Sequence, residues 1–389
     1  VKQCILKKGK EKALQNRHPW VFSGAIDQID DGIVPGGIVQ VLSSKNEFLA
    51  TGYFNPHSQI SIRILSFLDE VIDHKFFEKR ITDALQLRSN WFKSDTDSCR
   101  IIHSEGDFLP GLIVDRYGDF LTVQFLTAGM DQFRDVIVKI LSDKLKPKGI
   151  FERADARERE FEKLGSESKM IFGEEPPETI EISENSFKFL VNLREGQKGG
   201  FFLDQRENRK LIQSISEGRK VLNCFSYSGA FSIYASAGGA SAVTSVDSSQ
   251  PALNLAAEHF KLNKLSTPHK IVKQDVFEYL REDKSEFDLI ILDPPAFCKS
   301  KHQIDQAARG YKDINLSAIK RITRGGFLFT ASCSSFISPD LFQKIIFGAA
   351  KDTSRDLRII QKTSHAIDHP ISIYHPEGEY LKGLLCQIL

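Results

Sequence analysis

A thiol and a carboxylate that follow two apolar runs are the residues best placed to do chemistry in this sequence. Asp293 comes directly after Leu289-Ile290-Ile291-Leu292 and opens the segment Asp293-Pro294-Pro295-Ala296-Phe297. Cys333 lies in Ser332-Cys333-Ser334-Ser335, just behind Phe327-Leu328-Phe329-Thr330-Ala331. Short apolar runs of this kind read as buried strands, and neighbouring strands in a sheet lie only about 5 Å apart. If these two are neighbours, Asp293 and Cys333 share one pocket. The paired Pro294 and Pro295 fix backbone carbonyls and the Phe297 ring in place, which suits gripping a flat base. A rigid loop without a ligand is the plain alternative.

Three further strand ends carry a second set of groups. Val221-Leu222 runs into Asn223-Cys224-Phe225-Ser226-Tyr227-Ser228-Gly229, a small-residue turn opening a helix. Glycine lets the backbone approach a ligand there, and the helix start offers unpaired N–H groups. Neither G-x-G-x-x-G nor G-x-x-x-x-G-K-[ST] is present, so a ligand without phosphates fits better. The next strand ends in Val246-Asp247-Ser248-Ser249, where Asp247 can accept from both hydroxyls of a ribose. The one after ends in Gln274-Asp275, where Asp275 can accept from an adenine amino group. Singly, each aspartate is as readily a cap for the following helix. Together and in this order they describe an adenosine.

The elements that must position these groups follow from the hydrophobic pattern. From about residue 218 the chain alternates strands and helices in the manner of a parallel sheet. Strands are expected at Lys220–Asn223, Ala242–Asp247, Lys270–Gln274, Phe287–Leu292, Gly326–Ser332, Leu357–Lys362 and Leu381–Ile388. Helices are expected at Gly229–Ala237, Gln250–Asn263, Val276–Glu282, Gln303–Thr323 and Pro339–Asp352. The first ~70 residues read as short strands separated by Pro and Gly turns, the pattern of a small β-barrel. Residues 75–92 switch to helical period, 111–125 read as a hairpin turning at Gly118, and a helix is expected over Asp131–Leu145 before a strand at 149–152. The charge run from Arg153 to Glu162 reads as a solvated helix or loop, and Gly173 to Glu178 as a linker.

These motifs together resemble the large-subunit ribosomal RNA cytosine-5 methyltransferases that carry an N-terminal PUA domain. The resemblance covers nearly the whole chain. It extends to His18-Pro19-Trp20-Val21-Phe22-Ser23-Gly24 near the start, to Pro110 through Asp119 in the middle, and to Gly199-Gly200-Phe201-Phe202-Leu203-Asp204-Gln205-Arg206 before the last domain. It implies an α/β protein: a Rossmann-like, seven-stranded methyltransferase domain (179–389), preceded by a PUA-like RNA-binding β-barrel (1–70) and a central α+β domain (71–178). It also implies S-adenosylmethionine as cofactor, held by Asn223, Phe225, Ser226, Gly229, Asp247, Ser248, Asp275, Asp293, Gln205 and Arg206. Pro294, Pro295 and Phe297 would meet the substrate base.

The chemistry agrees with that implication. Cytosine C5 is a poor nucleophile, so a thiolate must first add to C6 and make the ring electron-rich at C5. Cys333 is the candidate nucleophile, and Asp293 would hold the N3/N4 edge of the cytosine. The base that removes the C5 proton is not assigned. Other RNA cytosine-5 methyltransferases use a second cysteine directly after the proline of this motif. Ala296 stands at that point here, so Cys298 is out of register and reads as a loop thiol, while Cys224 reads as packing. Two alternatives stay open: methylation of a base nitrogen with Cys333 structural, and a non-catalytic RNA-binding or assembly protein.

Composition bounds the rest. A chain of 389 residues points to two or three domains. No apolar run approaches the ~20 residues of a membrane span, and Val1-Lys2-Gln3-Cys4 does not open a secretory leader, so no membrane partner and a cytoplasmic address are expected. The six cysteines are scattered without zinc-ligand or disulfide patterning, and no metal is expected. A net charge of +1 does not announce a nucleic-acid binder, so any RNA contact must come from local clustering. Lys2, Lys7, Lys8, Lys10, Lys12 and Arg17 against a single Glu11 form one such cluster, either a solvated face or an RNA contact, with Lys12 and Arg17 as the candidates. RNA, and ribosomal RNA in particular, is the expected partner; the oligomeric state is left open, a homodimer among the options.

Overall fold

Alternating apolar residues build the first sheet. Its strands are β1 (Lys2–Leu6), β2 (Trp20–Phe22), β3 (Ile26–Ile29), β4 (Ile38–Leu42), β5 (Phe48–Phe54) and β6 (Ile60–Ser66), with the short helix α1 (Lys12–Gln15) after β1. They join in the order β2-β6-β5-β4-β1-β3, with β1 parallel to β4. Cys4, Leu6, Val39, Val41, Ala50, Ile62 and Ile64 point into one core. The sequence reading missed β1, because only two of its five residues face inward between lysine-rich flanks.

The computed structural model describes residues 1–92, 94–194 and 200–389, so Gly199 of the motif above lies outside the described residues. The chain forms two units: Val1–Asn185 with Val191–Gly200 and Ile367–Gly378, and Ser186–Leu190 with Phe201–Ala366 and Glu379–Leu389. No helix among the described residues is long and apolar enough to cross a membrane.

The first unit continues with α2 (His74–Ser89), β7 (Ser98–His103), β8 (Leu112–Tyr117), β9 (Phe120–Phe125), α3 (Ala128–Gln132), α4 (Arg134–Leu145), β10 (Gly149–Glu152), α5 (Glu158–Phe161) and β11 (Lys169–Gly173). The five strands order as β11-β10-β9-β8-β7. The expected hairpin is β8–β9, turning at Gly118 with φ 57°. The helix expected over Asp131–Leu145 breaks at Phe133 into α3 and α4. The charge run is solvated only in part: Asp155, Arg157, Glu158 and Glu160 are exposed, but Arg159 and Glu162 are only 4% and 3% exposed. Arg159 donates to the carbonyls of Phe125 and Gly165, while Glu162 accepts from Asn55 Nδ2 at 2.6 Å and Ala128 N at 3.2 Å. Phe125, Asn55 and Ala128 lie far away in sequence, which is why local patterning misplaced these two residues.

After a ribbon of β12 (Ile180–Glu184) and β13 (Phe187–Val191) come α6 (Arg206–Ser214), β14 (Lys220–Cys224), α7 (Ala230–Ala237), β15 (Ala242–Asp247), α8 (Gln250–Leu262), β16 (His269–Lys273), α9 (Val276–Glu282) and β17 (Phe287–Leu292). The chain ends through α10 (Ile304–Ile319), β18 (Ile322–Ser332), α11 (Pro339–Thr353), β19 (Leu357–Thr363) and β20 (Lys382–Ile388). The seven strands order as β16-β15-β14-β17-β18-β20-β19, parallel except for β20, which runs antiparallel to both its neighbours. The winding direction reverses between β14 and β17, so a ligand crevice is expected outside their carboxyl ends. Most boundaries in this sheet lie within one residue of expectation, but α10 stops at Ile319 rather than Thr323, and β18 starts at Ile322 rather than Gly326. Pairing of Ile322 with Phe287 recruits the extra residues, and Gly325, at φ 84°, absorbs the irregularity that the register shift creates.

Candidate active site

The turn after β14 is wound tightly by alternating left-handed residues, Phe225 (φ 55°), Tyr227 (φ 47°) and Gly229 (φ 75°). A Cβ at Gly229 would stand 2.7 Å from the Ala256 methyl, so glycine is required there for space as well as for φ. Asp247, at the end of β15, holds this turn. Its Oδ2 accepts from Tyr227 N and its Oδ1 from Ser249 N, both at 2.8 Å. A carboxylate offers about four acceptor directions, so two remain for a ligand. Ser248 follows it and is exposed. On the far side, His259 Nε2 accepts from Leu190 N and Nδ1 donates to Ser228 O, each at 2.8 Å, which fixes the tautomer. Burial keeps this imidazole neutral by pulling its pKa down.

Asn223 is 1% exposed and donates through Nδ2 to Ser232 Oγ at 2.9 Å, while its Oδ1 and the Ser226 hydroxyl are buried without a hydrogen-bond partner. Buried polar atoms are costly when unmatched, so such atoms beside a ligand-shaped turn mark where a ligand's donors would fit. Asp275 caps α9, accepting from Glu278 N at 3.1 Å; the capping alternative thus describes one of its contacts. Phe225, Phe277 and Phe297 form an aromatic wall next to it, with ring centroids 5.8–6.5 Å apart.

The second cluster lies past β17 and β18, which pair directly, Leu292 against Thr330. Cys333 Sγ comes to 3.9 Å from the Pro294 carbonyl oxygen, so the Asp293 turn and the thiol do meet at adjacent strand ends. Gln205 Nε2 donates to Asp293 Oδ1 at 2.8 Å, and Gln205 Oε1 accepts from Asn208 Nδ2 at 2.6 Å. Arg206 begins α6 and is buried. Pro295 is exposed, whereas Phe297 packs on Tyr311 with centroids 4.7 Å apart. The four thiols of this unit differ. Cys224, Cys298 and Cys386 are buried in the apolar core, the first and last with their pKa values pushed up by burial, while Cys333 is partly exposed. Sequence reasoning missed Asn208, Tyr311 and Lys382 at this site. Only Lys382 left a signal: a lysine heading a mostly apolar strand.

In the first unit, Lys12 and Arg17 are both exposed. Arg17 lines a cavity of about 280 Å³, its guanidinium over the Phe67 and Tyr374 rings at 5.2 and 5.3 Å, and Arg80 also lines it. Guanidinium planes stacked on aromatic rings keep their edge donors available for a phosphate or a base.

A PUA-like domain matches residues 4–67, and an S-adenosylmethionine-dependent methyltransferase domain matches residues 162–365. Relatives named ribosomal RNA large subunit methyltransferase I align over 394 positions, covering 100% of this chain and 99% of theirs. The one from Yersinia pseudotuberculosis serotype O:1b is 41% identical and the one from Shigella dysenteriae serotype 1 is 42% identical. Among solved structures, a Streptococcus mutans protein described as a candidate SAM-dependent methyltransferase superposes with a TM-score of 0.85 at 25% identity, over 100% of both chains. Another candidate methyltransferase, solved in complex with SAH, gives 0.86 at the same identity and coverage.

Proposed function

We propose that this chain, which belongs to the family of S-adenosylmethionine-dependent large-subunit ribosomal RNA methyltransferases with an N-terminal PUA-like domain, forms 5-methylcytosine in large-subunit ribosomal RNA. The observation that carries the reading is the approach of Cys333 Sγ to the Asp293-Pro294-Pro295 turn, 3.9 Å from the Pro294 carbonyl oxygen.

S-adenosylmethionine is the cofactor, and when bound it supplies an electrophilic methyl carbon on a sulfonium. The residues present fit it. Asn223 Oδ1 and Ser226 Oγ are buried acceptors without a partner, at a turn that needs Gly229 for close approach. In this reading Asn223, Phe225, Ser226 and Gly229 surround the cofactor, Asp247 and Ser248 take its ribose and Asp275 its adenine. Gln205 orients Asp293 and Arg206 stands beside it.

Cys333 then acts on the RNA. Its sulfur forms a bond to cytosine C6 as the C5–C6 π pair moves to C5, which becomes able to accept the methyl group. Asp293 holds the N3/N4 edge, and Pro294, Pro295 and Phe297 frame the ring. Loss of the C5 proton to a base returns the electron pair to the C5–C6 bond and expels the Cys333 thiolate. Lys12 and Arg17, in a PUA-like domain of residues 1–70 ahead of a central domain (71–178) and the catalytic domain (179–389), would contribute salt-dependent phosphate contacts. Ribosome assembly in the cytoplasm is the setting that this substrate implies.

The test is mass mapping of modified nucleosides in large-subunit ribosomal RNA from cells with and without the gene. The reading expects one 5-methylcytosine to vanish from the deletion strain. Loss of a nitrogen-methylated base instead, or no loss at all, contradicts it.

A further inference from the structure

Lys382 stands at the head of β20, flanked by the buried Leu381, Leu384 and Leu385, and is itself only 4% exposed. An ammonium so placed is costly unless its protons are met. Two of them are: Nζ donates to the carbonyl oxygens of Ser334 at 2.7 Å and of Ile337 at 2.6 Å. These carbonyls belong to the loop that begins at Cys333, and in the β18–β20 pairing Lys382 sits opposite Ser332. From α10, the Tyr311 hydroxyl accepts from Ser332 Oγ and meets Ser334 Oγ, each at 2.9 Å. The residues on both sides of Cys333 are thus held from two elements, one of which brings a buried positive charge.

We propose that Lys382 is a positioning residue that locks the Cys333 loop and holds the Cys333 sulfur as a thiolate near neutral pH. The inference rests on the reading of Cys333 as the nucleophile. No carboxylate among the described residues forms an ion pair with Lys382, so its charge is not neutralised at short range. Burial pulls its pKa down to about 8, while Cys333 and then Glu379 pull it back up. Coulomb coupling is mutual, so the same attraction stabilises the thiolate. Tyr311 is kept neutral by burial, which pushes its phenol up, and Asp293, next to the Pro294 carbonyl, is acidic.

The full-length protein tests this by iodoacetamide alkylation of Cys333, followed across pH by peptide mass spectrometry, which needs no RNA. An unperturbed thiol titrates near ~8.5. The wild type should show a midpoint clearly below that value, Lys382→Met should raise it by about one unit or more, and Lys382→Arg should stay near wild type. Methyl transfer by Lys382→Met at neutral pH should fall about tenfold and recover as pH rises. A wild-type midpoint at or above ~8.5 overturns the proposal even if Lys382→Met does not fold. An unchanged profile in a folded Lys382→Met does the same. A lowered midpoint in a protein that forms no 5-methylcytosine leaves this inference standing and sinks the acceptor assignment instead.

Discussion

Arg88 in the first unit and Ser232 in the second are both buried polar side chains, satisfied in different ways. Arg88 donates to both oxygens of Asp107, at 2.5 and 2.8 Å, and to the carbonyls of Arg100 and Asp368. Arg100 likewise grips Asp115 at 2.7 and 2.9 Å, and Arg63 lies between Glu105 and Glu162. These buried charges are paired with one another. Ser232 instead sits in a neutral chain running from Asn223 through Ser232 and Ser245 to His269, and the chain ends at the unmatched Asn223 Oδ1. Closed ion pairs specify a scaffold, whereas a neutral network with spare capacity at strand ends leaves donors and acceptors for a ligand. The difference separates buried charges that fix shape from a buried neutral network that leaves room for a ligand.

The comparison breaks first at Arg88. Arg88→Met strands Asp107 in a buried setting and should cost about 3–5 kcal/mol, read as faster amide exchange in β7 and β8. Ser232→Ala should cost only about 1 kcal/mol. Equal costs would mean that the two units do not differ in this way. Asp247→Ala comes next: losing the acceptor for Tyr227 N and Ser249 N as well as a ligand contact should weaken S-adenosylmethionine binding by about 1–3 kcal/mol in calorimetric titration. Unchanged affinity in a folded variant would place the ribose elsewhere.

A further effect is one of pH. His269 stacks on Phe260 with centroids 3.7 Å apart, and burial pulls its pKa down to about 4. The folded state keeps it neutral where the unfolded chain would protonate it near ~6.5. Its stabilising contribution is therefore complete above ~6.5 and is lost as pH falls toward about 4. Denaturant melts of the second unit at pH 7.5 and pH 5 should show a lower midpoint at pH 5, less so in His269→Gln.

What the sequence made legible was local. The Gly118 hairpin, the Asn223–Gly229 turn and the aspartates closing β15 and β17 are all set by residues within a few positions of each other. What it hid depends on distant partners. Glu162 is a buried acceptor because Asn55, just past β5, and Ala128 reach it, and Lys382 matters only because β20 inserts beside β18. Residues 367–378 are the extreme case: they lie between β19 and β20 in sequence yet belong to the first unit, where His375 packs on Trp20 with centroids 4.5 Å apart. No periodicity marks such a segment, since its packing face is chosen by another part of the chain. Cys333 and Asp293 were singled out by strand-end position, but their meeting required the β17–β18 pairing.

The central claim is that Cys333 attacks the base, and covalent trapping addresses it most directly. Ribosomal RNA carrying 5-fluorocytosine at the target position should accept the methyl group and then stall, because fluorine cannot leave C5 as a proton does. Mass spectrometry of the trapped wild-type protein should find the RNA on Cys333, and Cys333→Ala should give no adduct while still binding S-adenosylmethionine. An adduct on Cys298, or full methyl transfer by Cys333→Ala, would contradict the account.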